Sequence, residues 1–166
     1  EASLIRINDS LIKDFRITGG TFETTGAEPI ITKNNGALTV TGGTYNITNE
    51  SSTAAVFYLG KDKTNGAFVL DGTNVVINHK GKGSVIEHHS ACVAKISNLK
   101  YEAKGEEAAP ILKVDVASSS TVIVGNTVEL TGCEFTSETA PIVLAGLPCT
   151  LILNDTTKIT AKAAFG

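Results

Sequence analysis

The stretch that decides the fold is ITGGTF at residues 17–22, which returns as VTGGTY at residues 40–45. Each copy has a β-branched residue, a Thr, two glycines, another Thr and an aromatic residue in the same order. β-Branched and aromatic residues favour strands, while glycine favours the places where a chain bends sharply. The return of this phrase after 23 residues indicates an internal structural repeat.

Four further segments align with these two copies, so six related repeats cover most of the chain. Each repeat has an alternating strand, a short turn and a second alternating strand, which predicts one inward face and one outward face. The first strands supply one column of inward residues: Ile17, Val40, Leu70, Ile96, Leu130 and Leu153. The second strands supply another: Phe22, Tyr45, Val75, Tyr101, Phe135 and Ile159. The glycines expected at the coil corners are Gly19, Gly20, Gly42, Gly43, Gly72 and Gly132.

A third short strand follows most of these pairs, at residues 29–33, 55–60, 84–89, 110–116 and 141–146. Three strands per repeat predict a three-sided coil whose successive turns stack in register about 4.8 Å apart. We therefore predict one all-β domain over residues 1–166, a parallel β-solenoid of about six coils. The chain begins with Glu and contains no Met, which is typical of an excised or processed part of a longer chain.

The composition and net charge of the chain limit the classes of partner that we expect. The net charge of −3 disfavours nucleic acid, because phosphate binding needs a basic face. No run of eighteen apolar residues is present, so we expect no membrane insertion. The three cysteines lack the spacing of metal ligands, and each sits among small or apolar residues. We expect buried, unpaired cysteines, with a Cys133–Cys149 disulfide as the alternative.

The aligned columns and the GGTF and GGTY phrases resemble the right-handed parallel β-helix of the pectin-lyase-like superfamily. The phrases are also similar to repeats of phage structural proteins and bacterial surface proteins. The resemblance covers residues from about Leu4 to Ala163 and implies a right-handed coil. It also implies exposure on a virion or a bacterial cell, and the habit of similar fibres suggests a homotrimer.

Enzymes of that superfamily carry clustered carboxylates on an outer sheet, and glycoside hydrolysis in general needs two acids about 5 to 9 Å apart. The outward acids on second strands are Glu23, Glu102, Glu134 and Glu138. Of these, Glu102 and Glu134 could be neighbours, but lysines interleave with them. The acids Asp62, Asp71, Asp115 and Asp155 are scattered over different strands and loops, which disfavours a calcium site. We predict no catalytic residue.

The densest polar cluster is VIEHHSACV at residues 85–93, with His79 shortly before it. A metal site here would need His79, one of His88 and His89, and Cys92 to converge. Neighbouring residues of a strand point to opposite faces, so His88 and His89 cannot both join one site. His88 aligns with Val114, an inward position. We therefore predict structural histidines, with no metal and no cofactor.

These patterns favour a non-catalytic structural module of an exposed extracellular assembly. The candidates are a phage virion protein (fibre, spike or capsid decoration) and a bacterial surface adhesin. The alternative is a glycan-binding or polysaccharide-degrading β-helix domain, which the absence of Trp disfavours. Expected partners are further copies of the chain, as a homotrimer, and other subunits of the assembly; contact with a glycan or host surface stays open. Apolar residues expected to face outward, and so to line such contacts, are Ile30, Val76, Ile111 and Ile152.

Overall fold

The computed structural model describes residues 3–9, 11–60, 66–104, 109–114, 126–138, 142–145 and 149–161. These residues form a parallel β-solenoid of about five turns, which confirms the predicted all-β solenoid. Six rungs of strands have five intervals between them, and this accounts for the difference from the six expected coils. The right-handed sense stays a prediction. Within the described ranges no helix is long and apolar enough to cross a membrane.

The third strand of each rung lies in one six-stranded parallel sheet, which we call the third face. Each strand has three residues. In β5, β8 and β11 the two end residues are buried and the middle one is half-buried, and in β3 all three residues are buried. In stacking order the strands are β1 (Ile5–Ile7), β3 (Ile31–Lys33), β5 (Phe57–Leu59), β8 (Ile86–His88), β11 (Leu112–Val114) and β14 (Val143–Ala145).

The first and second strands of each rung form the first and second faces. In the first two rungs one strand of ten residues bends across both faces: β2 (Phe15–Thr24) and β4 (Leu38–Ile47). Later rungs divide the same path into two strands. These pairs are β6 (Phe68–Asp71) with β7 (Val75–His79), β9 (Val93–Ser97) with β10 (Lys100–Ala103), β12 (Asn126–Thr131) with β13 (Glu134–Ser137), and β15 (Cys149–Asn154) with β16 (Lys158–Ala161).

The bend between these two faces explains the repeated glycines. Gly20 and Gly43 have φ of +103° and +117°, values that an L-residue with a side chain rarely adopts. In later rungs the bend uses Asn98, Gly132 and Asp155, with φ of +55°, +62° and +44°. The GG pairs therefore lie inside continuous strands, whereas a turn between two strands was expected; this holds for Gly19 and Gly42 as well. Gly72 lies in a 3-10 turn, Gly72–Asn74.

The predicted first column is present rung by rung: Ile17, Val40, Leu70, Ile96, Leu130 and Leu153 lie opposite one another in that order. Leu153 is 53% exposed because it lies in the last rung, and the other five are buried. In the second column, Phe22 lies opposite Tyr45, and Tyr101, Phe135 and Ile159 lie opposite one another.

Val75 packs against the core as an inward residue, as predicted, but its position in the second column is wrong. Val75 lies opposite Gly43, and Ile77 takes the position opposite Tyr45. Six residues separate Leu70 from Ile77, whereas four separate Val40 from Tyr45. The two extra residues are accommodated in the 3-10 turn, which delays the next inward residue by two positions.

Aromatic side chains from all three faces pack against one another in the interior. The rings of Phe22 and Tyr45 stack with centroids 5.1 Å apart. Tyr45 then contacts Phe57 at 5.0 Å, and Phe57 contacts Phe68 at 5.6 Å. The Tyr45 hydroxyl donates a hydrogen bond to the Gly42 carbonyl at 3.1 Å, so the buried phenol is satisfied.

Two of the four apolar residues expected to face outward are buried. Ile30 and Ile111 have relative exposures of 0% and 1%, because they lie at the corner before a third-face strand, where two successive residues both face the interior. Val76 is 52% exposed, and Ile152 is half-buried. Period-two alternation fails at the corners, and the predicted lateral apolar contact surface loses two of its four members.

Candidate functional site

Glu102 and Glu134 lie on neighbouring strands and line the same depression of the second face, and each carboxylate has a lysine beside it. Glu134 lies opposite Lys100, whose Nζ is 3.2 Å from the Glu134 carboxylate. Glu102 lies opposite Thr136 and is 3.0 Å from the Nζ of Lys104. Opposite charges therefore alternate along this surface. The remaining two candidates lie elsewhere: Glu23 accepts a hydrogen bond from the Asn46 amide at 3.3 Å, and Glu138 lies exposed after β13.

Asp71 and Asp155 lie at bends of the chain. One Asp71 oxygen accepts hydrogen bonds from the Thr73 backbone at 3.0 Å, the Thr73 hydroxyl at 2.7 Å and the Asn98 amide at 3.1 Å. The Thr73 hydroxyl contributes most to lowering the pKa of Asp71 below its usual range. Asp155 forms the bend of the last rung, and Asp62 and Asp115 lie outside the described residues. Among the residues described, no three of the His, Cys, Asp or Glu side chains could hold a metal ion.

His88 faces the interior opposite Val114, as predicted. The Nε2 of His88 donates to the Cys92 carbonyl at 3.1 Å, and its Nδ1 accepts from the Ser90 backbone at 3.4 Å. This assignment of the ring proton satisfies both nitrogens only when the imidazole is neutral. Burial accordingly lowers the pKa of His88 to about 4, and the nearby His89 and Lys33 lower it further.

The other members of the polar cluster diverge from His88. His89 is also buried, with its Nε2 3.2 Å from the Glu87 carboxylate and its ring 4.9 Å from that of Tyr58. The Nε2 of His79 donates to the Ala54 carbonyl at 2.9 Å.

The three cysteines, Cys92, Cys133 and Cys149, are free, so the alternative of a Cys133–Cys149 disulfide does not hold. The Cys133 thiol is buried and donates to the Ile96 carbonyl at 3.5 Å. Burial raises the pKa of the Cys133 thiol, which keeps it protonated and unreactive near neutral pH.

The second face is interrupted between its third and fourth rungs. β7 pairs with β4, and β10 pairs with β13, but no ladder joins β7 to β10 in the described part of the chain. The same two rungs remain paired on the other faces, through β6 with β9 and β8 with β11. The interruption is therefore a local cleft in one face.

Close backbone approaches fix both ends of this cleft. At its start, a Cβ on Gly72 would lie 2.4 Å from the Cα of Leu99, so the two rungs touch there. After β7, a Cβ on Gly81 would lie 2.4 Å from the Ser52 carbonyl oxygen. A Cβ on Gly83 would lie 2.0 Å from the Ala54 carbonyl oxygen. The glycines thus hold the third rung against the second, away from β10.

The cleft has a volume of about 610 Å³, within the range of ligand-binding pockets. Its floor contains Ile77, His79 and Tyr101. Burial lowers the pKa of His79 and raises the pKa of Tyr101 to about 12, so both rings are neutral at pH 7. The rim carries Lys80, Lys100, Lys104, Glu50 and Glu102.

In this lining the Nε2 of His79 is occupied by the Ala54 carbonyl, whereas its Nδ1 is buried and has no hydrogen-bond partner among the described residues. Tyr101 is a neutral phenol. Tyr101 was expected in the second inward column and Glu102 facing outward beside it, but the cleft was not predicted. The two extra residues before Ile77 mark a change in the path of this rung without showing that it parts from the next one.

Comparison with protein-family models, with curated proteins and with solved structures finds no match for this chain. No relative therefore supplies a function for it.

Proposed function

We propose that this chain is a non-catalytic structural module of an exposed extracellular assembly, either a phage virion protein or a bacterial surface adhesin. The observation that carries the proposal is the stack itself. One interior column continues through six rungs, and rigid repeats of this kind present extended surfaces rather than enclosed reaction chambers.

The outer surface supports the same interpretation, because its charged residues are matched between neighbouring rungs. Lys95 lies 3.7 Å from the Glu129 carboxylate, and Lys100 lies 3.2 Å from that of Glu134. The Asn78 amide donates to Asn46 at 2.9 Å and so extends the contact between Asn46 and Glu23. Exposed pairs of this kind each contribute roughly 0–1 kcal/mol. They favour register and solubility.

Contact with other subunits is supported by the large apolar side chains that are exposed. Among the described residues these are Leu4, Leu11, Phe15, Val76, Leu151 and Leu153. Exposed apolar side chains favour association with a partner surface. The homotrimer expected from the resemblance remains a proposal about stoichiometry.

Incubation with purified bacterial surface polysaccharides tests the non-catalytic proposal. We expect no new reducing ends and no unsaturated products. Turnover that disappears in Glu102→Gln or Glu134→Gln would refute the proposal and favour a depolymerase. The association is tested separately by light scattering over a range of protein concentrations, where a monomer at every concentration would contradict it.

A further inference from the structure

We propose that the cleft between β7 and β10 binds an extended acidic polypeptide segment, which adds a strand to the interrupted second face. This proposal concerns a site that the structural role does not require, and either can fail without the other.

Main-chain groups on the β7 side of the cleft have no ladder partner among the strands that the structure describes. The Lys80 N–H donates to the Ile47 carbonyl at 2.9 Å. In a parallel ladder, alternate residues direct both their N–H and their C=O groups to the same neighbour. The groups of Val76 and Asn78 therefore face β4 with those of Lys80, and the groups of Ile77 and His79 face the cleft.

The β10 side offers a complementary edge. The Glu134 N–H donates to the Leu99 carbonyl at 2.9 Å, so the groups of Tyr101 face β13 together with those of Leu99. The N–H and C=O groups of Lys100 and Glu102 then face the cleft. Two facing edges of this kind are matched by an extended peptide, whose main chain carries donors and acceptors on both sides.

The side chains of the cleft select the sequence of that peptide. An inserted strand would direct alternate side chains towards Ile77 and Tyr101, which favour aliphatic residues. The intervening side chains would meet the rim, where Lys80 is exposed. Lys100 and Lys104 make only exposed ion pairs, which exchange partners at little cost. Three lysines against Glu50 and Glu102 favour an acidic segment.

The probe is a fluorescently labelled peptide of seven residues that alternates glutamate and valine, with blocked ends. We expect saturable binding to the full chain by fluorescence anisotropy, weakening as salt is raised. A peptide methylated on alternate backbone nitrogens should bind at least about tenfold more weakly, because it loses the donors that strand addition needs. A peptide alternating lysine and valine should not bind.

A pair of proline variants tests the edge. The Glu102 N–H faces the cleft, so Glu102→Pro should fold normally, since proline is tolerated where a strand N–H has no ladder partner. Glu102→Pro should nevertheless weaken the probe at least about tenfold, whereas Glu102→Gln should not weaken it. The matched change is Thr136→Pro, opposite Glu102 in β13, which removes an N–H used by the ladder and should lower the unfolding midpoint.

Two results with the peptides would overturn the proposal: no binding of the glutamate–valine peptide at millimolar concentration, or equal binding of the N-methylated peptide. Two results with the variant would also overturn it: full binding to a folded Glu102→Pro, or unfolding of Glu102→Pro. The last would mean that the Glu102 N–H already has a structural partner. The rim is tested by Lys80→Gln, for which we expect binding about two- to fivefold weaker. Unchanged affinity together with no salt dependence would remove the acidic class of ligand.

Discussion

Acidification should destabilise this protein between pH 6.5 and pH 4, and His88 should carry most of the effect. His88 has a pKa of about 4 in the folded chain, against 6.5 for an unperturbed histidine. Because the folded value is the lower one, the unfolded chain takes up the proton first as the pH falls. The stabilisation is therefore complete above pH 6.5 and is lost progressively towards pH 4.

The magnitude follows from these two values. Between pH 7.5 and pH 4.5, the proton taken up by unfolded His88 lowers the free energy of unfolding by about 2.5 kcal/mol. His79, whose pKa burial also lowers, adds to the loss in the same direction. The carboxylates with lowered pKa, Asp14 and Asp71, act only below their usual value of 3.8 and so fall outside this range. The pH range thus separates the histidines from the carboxylates.

Urea unfolding followed by circular dichroism at pH 7.5, 6.5, 5.5 and 4.5 measures the loss. The test variant is His88→Leu, since the register partners of His88 are Leu59 and Val114. It should be about 1–3 kcal/mol less stable at pH 7.5, because the Ser90 N–H and the Cys92 carbonyl lose their partner. Its further loss on acidification should be smaller than that of the wild type by about 2.5 kcal/mol.

A matched control separates titration from packing. Val114→Ala lies beside His88 in the same column and should cost about 0.5–3 kcal/mol at every pH while keeping the wild-type dependence on pH. If His88→Leu lost as much free energy between pH 7.5 and pH 4.5 as the wild type does, the assignment of the acid sensitivity to His88 would be wrong.

Two further predictions concern packing between rungs. Gly83→Ala should destabilise the chain by more than about 1 kcal/mol in urea unfolding, because its Cβ would lie 2.0 Å from the Ala54 carbonyl oxygen. The control is Gly19→Ala, whose Cβ would have no atom within 4 Å. Its stability should be within about 0.5 kcal/mol of the wild type. Equal stability of the two variants would contradict the close approach at Gly83. Tyr45→Phe should cost about 0.5–1.5 kcal/mol in the same assay through loss of the hydrogen bond to Gly42, and a stabilised variant would show that this bond contributes nothing.

The interior columns could be predicted from the sequence because stacking in register places like residues on like. Once Ile17 and Val40 were aligned, Leu130 followed from the same pattern, and the register bears this out. The pattern failed where the chain bends. Ile30 was expected outside because alternation was extended through a corner, and Val75 was assigned to a column because no local signal shows how a turn absorbs two extra residues.

The cleft could not be predicted from the sequence because it depends on pairing between residues far apart in the chain. Nothing in the strand VVINH at residues 75–79 or in KYEA at residues 100–103 marks either one as an open edge, since both alternate like their neighbours. What opens the cleft lies beyond the two strands, in the 3-10 turn before β7 and in the glycines after it.

That arrangement shows how a solenoid can acquire a site without losing its fold. The third and fourth rungs keep their ladders on the first and third faces, so the interior column from Leu70 to Ile96 stays closed while the second face opens. The opening leaves a few main-chain groups exposed to water, where they cost little. It also removes the neighbour that would otherwise cover Ile77 and Tyr101. A strand that fills this gap would direct alternate side chains inward and outward. The cleft therefore favours a peptide in which aliphatic and acidic residues alternate.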